Sequence, residues 1–428
     1  VDACRAKKIG PQLSRKEKNV PSAKIRLGFC PIGKFVFSHE DALNYKRQIE
    51  AILKPMNLEI VSLDGILPDG IIRSQDHVAP AVAHFQQAGI DAIFTPHCNF
   101  GTEGAVGVIG KKLGVPLLLW GPRDEAPLPD GTRLRDSLCG LFASSKVLHQ
   151  LRVPFTYLEN CRLTDPAFPQ GIDRFVRAVN VANAFRRGIR IGHIGQRIDF
   201  FWSTIINESE LLRRFRVEIL PIDMVQFIAA VRTRTRKHHA EYLAELNQLK
   251  KSTRIEGFKT DEPLINVLAV RDEMLAIAEK EELEALAVQD FMSLVDEMGA
   301  YCFYANSAVS DRYPLGCESD IHGAISTALL RRAALGSTPP FLVDLTIRHP
   351  SNDNGILLWH AGAPLSLCHP QDSVRIGHHW ILPSPLSGMP HFRLQDGPIT
   401  VARFDGDETY QLAVGEGNSI SGPETQNN

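Results

Sequence analysis

The sequence lacks most of the marks of a specialised class. Its 428 residues carry a net charge of only −2, so no global field draws it to nucleic acid or to an anionic membrane surface. No apolar run approaches the ~18–20 residues of a membrane span. No signal-peptide pattern opens the chain, and a cytoplasmic setting is expected. The eight cysteines, at positions 4, 30, 98, 139, 161, 302, 317 and 368, include no CxxC pair. Several fall in apolar runs and read as buried reduced thiols. No glycine-rich dinucleotide fingerprint follows the first strand-like run, Ile25–Cys30, because Pro31-Ile32-Gly33-Lys34 lacks the glycine spacing; a nucleotide cofactor is not expected. The one basic cluster, Arg232–His239, has no interleaved aromatics and reads as a solvated helix start, not an RNA patch.

What is present is a long alternation of elements. At this length two or three domains are expected. After a polar, basic arm over residues 1–24, strand-length apolar runs alternate with helix-length segments through residue 158. The runs are Ile25–Cys30, Leu58–Ser62, Ile90–Thr95, Pro116–Trp120 and Pro154–Tyr157. The helical segments are His39–Leu53, Gln75–Ala88, Glu103–Leu113 and Arg133–Leu151. That is βαβ spacing and implies a parallel sheet covered on both faces. A second doubly wound α/β unit is expected over 159–338. It has a helix at Gly171–Arg187, strands at Ile189–Ile194, Val217–Leu220 and Tyr301–Ala305, a helix at Ala240–Lys250, and a long helical stretch, Asp261–Met298, that breaks near Lys280. From residue 339 helix signals vanish and short strands separated by Pro, Gly and Asp predict a β-rich, barrel-like end over 339–428. Those strands are Phe341–Ile347, Gly355–Trp359, Ile399–Arg403 and Thr409–Val414.

The stretch with the most chemistry is Gly316-Cys317-Glu318-Ser319-Asp320-Ile321-His322-Gly323. It runs from an expected strand, Ala300–Asn306, toward an apolar helix over Ala324–Leu335. Glu318 therefore belongs near a helix N-terminus, where the dipole favours an anion. Two further runs carry polar groups at an apolar edge: Phe341-Leu342-Val343-Asp344, read as a buried strand, and Ile356-Leu357-Leu358-Trp359-His360. Two carboxylates and an imidazole on neighbouring elements suit a divalent cation with mostly oxygen ligands. The bland alternatives are an N-capping glutamate, a strand-end aspartate and a hydrogen-bonded core histidine. Asp320 and His322 either orient Glu318 or form only the first helical turn. Lys34, Asn99 and Asn306 follow apolar strands and suit hydrogen bonds to sugar hydroxyls, or simple loop polarity. Arg123 and Asp124 read as a structural ion pair or a subunit contact. His378-His379 is set aside as a metal pair, because adjacent strand residues face opposite ways.

Four strings, Leu119-Trp120-Gly121-Pro122-Arg123-Asp124, Gly131-Thr132-Arg133-Leu134-Arg135-Asp136, Cys317–Gly323 and Leu358-Trp359-His360-Ala361-Gly362, resemble the L-fucose isomerase/L-arabinose isomerase family, on its fucose-isomerase-like branch. The resemblance covers most of the chain from Ile25 onward. It implies three domains, a Mn²⁺ site (Mg²⁺ or Co²⁺ as substitutes) and a trimeric or hexameric homo-oligomer whose neighbouring subunit closes the site. By resemblance Glu318 and Asp344 match the two carboxylates that bind metal and exchange protons. His360 matches a histidine kept only on the arabinose-isomerase side. The family also places a ligand histidine in a C-terminal segment that is expected to follow the end of this sequence. The implied activity is aldose–ketose isomerisation of a free pentose, 6-deoxyhexose or related sugar through an ene-diol. The alternative is a non-catalytic sugar-binding or regulatory protein on the same fold.

Overall fold

The computed structural model describes residues 24–379, 381–382, 386–420 and 422–423. The arm expected at the N-terminus lies, apart from Lys24, outside the described residues, as do Trp380 and residues 424–428. The chain divides into two compact units, one formed by Ser22–Asn183 and the other by residues from Ala184 onward.

In the first unit the expected alternation is present: β1 (Ile25–Phe29), α1 (His39–Leu53), β2 (Leu58–Val61), α2 (Val78–Ala88), β3 (Ala92–Pro96), α3 (Glu103–Leu113), β4 (Leu117–Trp120), α4 (Ser137–Gln150) and β5 (Thr156–Tyr157), with α5 (Ala167–Arg187) leading out. The five strands are all parallel, in the order β2-β1-β3-β4-β5. Alternate residues of each central strand feed two separate apolar cores. Leu27, Phe29 and Phe94 join α1 and α5 on one face, while Ile93, Leu117 and Leu119 join α2, α3 and α4 on the other. Each such side chain contributes about 1.5–3 kcal/mol on burial. Local signals set the helix ends. Ser38 caps α1 by accepting from the amide of Asp41 at 3.2 Å, and Asp41 and Glu40 occupy its first turn, where the dipole favours negative charge.

Asp124 pairs with Arg135, not with Arg123 as the sequence suggested. Arg135 is 3% exposed and reaches Asp124 at 3.2 Å and Asp41 at 2.5 Å, with Glu125 as a third partner. The guanidinium thereby ties α1 to the loop before α4, and the WGPRD and GTRLRD strings of the first unit are explained by that staple.

Gly140 of α4 lies directly against the loop after β3, and a Cβ there would overlap the carbonyl oxygen of Phe100. Gly140→Ala is expected to cost at least about 3 kcal/mol, at or beyond the upper end of ordinary overpacking, read as a lowered urea midpoint. That same carbonyl accepts from Nδ1 of His97 at 2.8 Å, while Nε2 accepts from the Ser144 hydroxyl at 3.1 Å. Burial pushes the His97 imidazole down to about 4. The unfolded imidazole takes its proton near pH 6.5 and the folded one only near 4, so stability falls as pH falls through that window. The loss is on the order of 3 kcal/mol. Denaturation at pH 7.5 and at pH 4.5 measures it, and His97→Gln is expected to remove this part of the pH dependence.

The second unit repeats the arrangement with four parallel strands in the order β10-β9-β6-β7. Its elements begin β6 (Ile189–Ile194), α6 (Glu208–Phe215), β7 (Val217–Ile222), α7 (Met224–Lys237), α8 (His239–Ser252), β8 (Arg254–Ile255) and α9 (Glu262–Lys280). They continue with β9 (Ala285–Val288), α10 (Ser293–Met298), α11 (Phe303–Ser310), β10 (Leu315–Gly316) and α12 (Ile321–Ala333). Three expectations are corrected here. The helical stretch Asp261–Met298 does break at Lys280 and is helical again at α10, but between them lies the strand β9. All four of its residues are buried, and burial on both faces removes the alternation that identifies a strand. Of the residues placed in a strand at Ala300–Asn306, Phe303–Asn306 open α11 (Phe303–Ser310) instead. Their aromatic and apolar content suits a strand, yet here it is buried around a helix packed on α9. The basic cluster Arg232–His239 closes α7: Arg234, Arg236 and Lys237 fill its last turn, where positive charge offsets the dipole.

The β-rich end consists of small ladders, and no closed barrel forms among the described residues. β11 (Asp344–Arg348) and β12 (Ile356–Trp359) make an antiparallel ribbon. β13 (Arg375–His378) pairs with β14 (Ser387–His391) and, in parallel, with β8. β15 (Pro398–Gly406) and β16 (Tyr410–Asn418) form a hairpin, and β15 packs on α12. Because β8 and α12 belong to the α/β part, this end is continuous with the second unit. The buried strand expected at Phe341–Ile347 is also revised: β11 starts at Asp344 and all five of its residues are exposed. Of the described cysteines, Cys30, Cys98, Cys161, Cys302 and Cys317 are buried and free. No helix of the described residues is long and apolar enough to cross a membrane.

Candidate active site

In the second sheet the chain order reverses between β6 and β9, and ligands of open parallel sheets bind beyond the carboxyl ends of strands at such a point. Three segments leave the sheet there: Gly195-Gln196 after β6, Gln289-Asp290 after β9, and Cys317-Glu318-Ser319 after β10. They are tied together through Ser319. Its amide donates to the carbonyl of Val288 at 2.9 Å, and its hydroxyl donates to that of Gln196 at 3.0 Å. Gly316 permits this close turn, since a Cβ there would stand 2.5 Å from the Asp320 carbonyl oxygen.

Glu318 occupies the elbow between β10 and α12. Its φ is +60° and that of Ser319 is +59°, two successive left-handed residues, neither a glycine. Each such residue costs roughly 1–2 kcal/mol, and strain of this kind persists only where neighbours over-determine it. Burial drives the Glu318 carboxyl up to about 7; the His360 imidazole opposes that rise, and the carboxylates of Asp290, Asp344 and Asp320 add to it. Asp290 is the residue that sequence reasoning missed. It is fully buried, accepts from the Glu318 amide at 3.1 Å and from the Asn306 side-chain amide at 2.9 Å. Burial raises its carboxyl, and the bond from the Glu318 amide opposes that rise. The signal for it was the short run Ala285-Leu286-Ala287-Val288, read as helix, with a carboxylate just past its end.

Asp344 opens β11 opposite Trp359 and is exposed, and its charge is felt at Glu318. His360 follows β12 directly and is 9% exposed. Its Nδ1 donates to the Ala361 carbonyl at 2.8 Å, the assigned tautomer that leaves Nε2 as the acceptor. Asn306 is fully buried behind Glu318, its Oδ1 without a partner. Asp320 is the helix cap: Oδ1 accepts from the Gly323 amide at 2.8 Å, and Oδ2 pairs with Arg403 at 2.5 Å. His322 packs against Phe404 and Tyr410. Both are therefore engaged by α12 and the β15–β16 hairpin. His379 lies among Tyr301, Phe303 and Trp359, while His378 bonds Ser387, so the two rings do point apart.

Lys34 and Asn99 belong to the first unit. Asn99 Oδ1 accepts from the Lys34 amide at 2.7 Å and from that of Gly101 at 3.3 Å; Lys34 pairs with Glu103 at 3.3 Å. There the Asn99 side chain staples the loops after β1 and β3. The carboxylate and imidazole donors at Glu318, Asp344 and His360 suit a hard divalent cation in kind. As the side chains are placed, however, no three His, Cys, Asp or Glu groups among the described residues gather closely enough to hold one.

Residues 28–186 match the N-terminal domain of the fucose/sulfoquinovose isomerases. Sulfoquinovose isomerase of Priestia aryabhattai is 26% identical over 399 residues, covering 92% of this chain and 85% of the relative. The Priestia megaterium protein of that name matches to the same extent. Sulfoquinovose isomerase of Alkalicoccus urumqiensis is 24% identical over 79% of this chain and 74% of its own length. A solved ABC-transporter solute-binding protein from Actinobacillus succinogenes 130z with bound D-allose aligns at 13% identity over 74% of this chain and 94% of its own, with a TM-score of 0.19, too low to show a shared fold. These matches support a fucose-isomerase-like family for the chain, one of aldose–ketose isomerases.

Proposed function

We propose that the protein is a metal-dependent isomerase of a free sugar, with Glu318 and Asp344 as its acid/base pair. The observation that carries this reading is Glu318 itself: a carboxyl lifted to about 7, held in a strained elbow at the switch point of a parallel sheet. Moving a carbonyl by one carbon requires a proton to leave the carbon beside it and return one position along. A group that titrates near neutrality can both take and return that proton. Glu318 takes the proton from one carbon of the open-chain sugar, giving a planar ene-diol, exchanges part of it with solvent, and returns a proton to the neighbouring carbon. Asp344 serves the accompanying transfer between the two oxygens. When bound, a divalent cation (Mn²⁺, with Mg²⁺ or Co²⁺ as substitutes) would supply Lewis-acid stabilisation of the developing negative charge. Glu318, Asp344 and the Nε2 of His360 would hold it, and the side chains must then draw in from where they stand. Phe291 and Trp359, half-buried against an apolar cluster that includes Phe303, offer apolar surface suited to the C–H faces of a sugar. A homo-oligomeric assembly and a cytoplasmic location belong to the same reading and are supported by the family resemblance.

The relatives' name makes sulfoquinovose the first aldose to test, beside pentoses and 6-deoxyhexoses. Full-length protein supplied with Mn²⁺ is expected to form ketose from at least one of them, and a chelator is expected to stop it. Tight sugar binding without conversion would favour the non-catalytic reading.

A further inference from the structure

Asp290 has no place in the reaction just described, yet it is the group on which the Glu318 elbow rests. We propose that Asp290 is a positioning residue, whose two carboxylate oxygens fix the main chain of Glu318 and thereby the aim of its side chain. The inference rests on Glu318 being the acid/base group.

Asp290 also adds its charge to the rise of the Glu318 carboxyl, an effect that the variants below separate from its hydrogen bonds. It is fully buried, so it meets neither solvent nor sugar. One oxygen accepts from the amide of Glu318 at 3.1 Å and the other from the Asn306 amide at 2.9 Å. Two successive left-handed residues do not hold their conformation unaided. The Ser319 side of the elbow is held by the carbonyls of Val288 and Gln196; the Glu318 side is held by Asp290. Asn306 in turn fixes the Asp290 carboxylate while keeping its own Oδ1 unpartnered. That spare oxygen makes a clean variant available. In Asp290→Asn the new amide keeps an oxygen for the Glu318 amide, and Asn306 can turn its Oδ1 to meet the new NH₂. Shape and hydrogen bonds persist while the charge is lost. Asp290→Ala removes both bonds.

The test compares these two variants with Glu318→Gln. Asp290→Ala is expected to lower kcat by about 100-fold with KM within about threefold, because the loss falls on the aim of the acid/base group and not on sugar contacts. Asp290→Asn is expected to stay within about tenfold of the parent. Amide hydrogen exchange over residues 315–320, read without substrate or metal, is expected to quicken in Asp290→Ala and not in Asp290→Asn. The double variant Asp290→Ala/Glu318→Gln is expected to be no slower than Glu318→Gln alone. Parent-like kcat and exchange in Asp290→Ala, a loss confined to KM, or equal losses in both Asp290 variants would each overturn the proposal. Where Asp290→Ala does not fold, Asn306→Ala takes its place and is read by the same kcat and exchange criteria. Full activity in Glu318→Gln would instead remove the reading beneath it.

Discussion

Glu318→Gln is expected to lower kcat by about 10²–10⁴-fold, the usual share of a positioned acid/base group, while the fold holds and the urea midpoint of metal-free protein at pH 8 rises, because the amide carries no charge to bury. The amide has the shape of the carboxyl but cannot take a proton from carbon. Nothing in the elbow needs the negative charge: the main chain of Glu318 is held through its amide on Asp290, and the carboxylates of Asp290, Asp344 and Asp320 all disfavour it. The same geometry fixes a sign. The Glu318 carboxyl is raised to about 7 in the folded metal-free chain, against roughly 4.3 when unfolded. Between those values the folded state holds a proton that the unfolded state has lost. This group therefore favours folding below about pH 4.3 and progressively less as pH rises to about 7. Melting curves of chelator-treated protein across that range should show a falling component that Glu318→Gln removes.

Asp344→Asn is expected to cost as much activity and no stability. Asp344 is exposed at the start of a two-stranded ribbon, so its replacement leaves no buried group unpaired, and surface changes of this kind stay within about 0.5 kcal/mol. Its charge nonetheless reaches Glu318, as a second carboxylate facing the same cation would. Loss of even an outer partner of a metal ligand weakens binding by about 10–100-fold, so Mn²⁺ affinity measured by calorimetry is expected to fall by at least that much. Unchanged Mn²⁺ affinity together with unchanged kcat would take Asp344 out of the site.

The first unit was legible because its signals are local and repeated. α1 and α3 begin and end where the apolar period and the flanking residues place them, and the strands between follow from spacing alone. In the second unit the pattern is hidden where burial is greatest. β9 is four residues long and buried on every side, so no alternation distinguishes it from the helix before it, and Asp290 at its end was lost with it. α11 has the opposite fault, a strand-like composition wrapped into a buried helix. The place of Glu318 just before a helix was legible from the string around it, which runs from a glycine into an apolar segment. The left-handed elbow and the Asp290–Asn306 support beneath it were not, since contacts from residues 290 and 306 to 318 depend on the sheet order and not on nearby sequence.

The most direct measurement is transfer of solvent deuterium into the sugar carbon beside the carbonyl, followed by mass spectrometry with full-length protein, Mn²⁺ and the aldose it converts. Parent protein is predicted to incorporate deuterium at that carbon and Glu318→Gln to incorporate none. Deuterium uptake that survives Glu318→Gln would contradict the account.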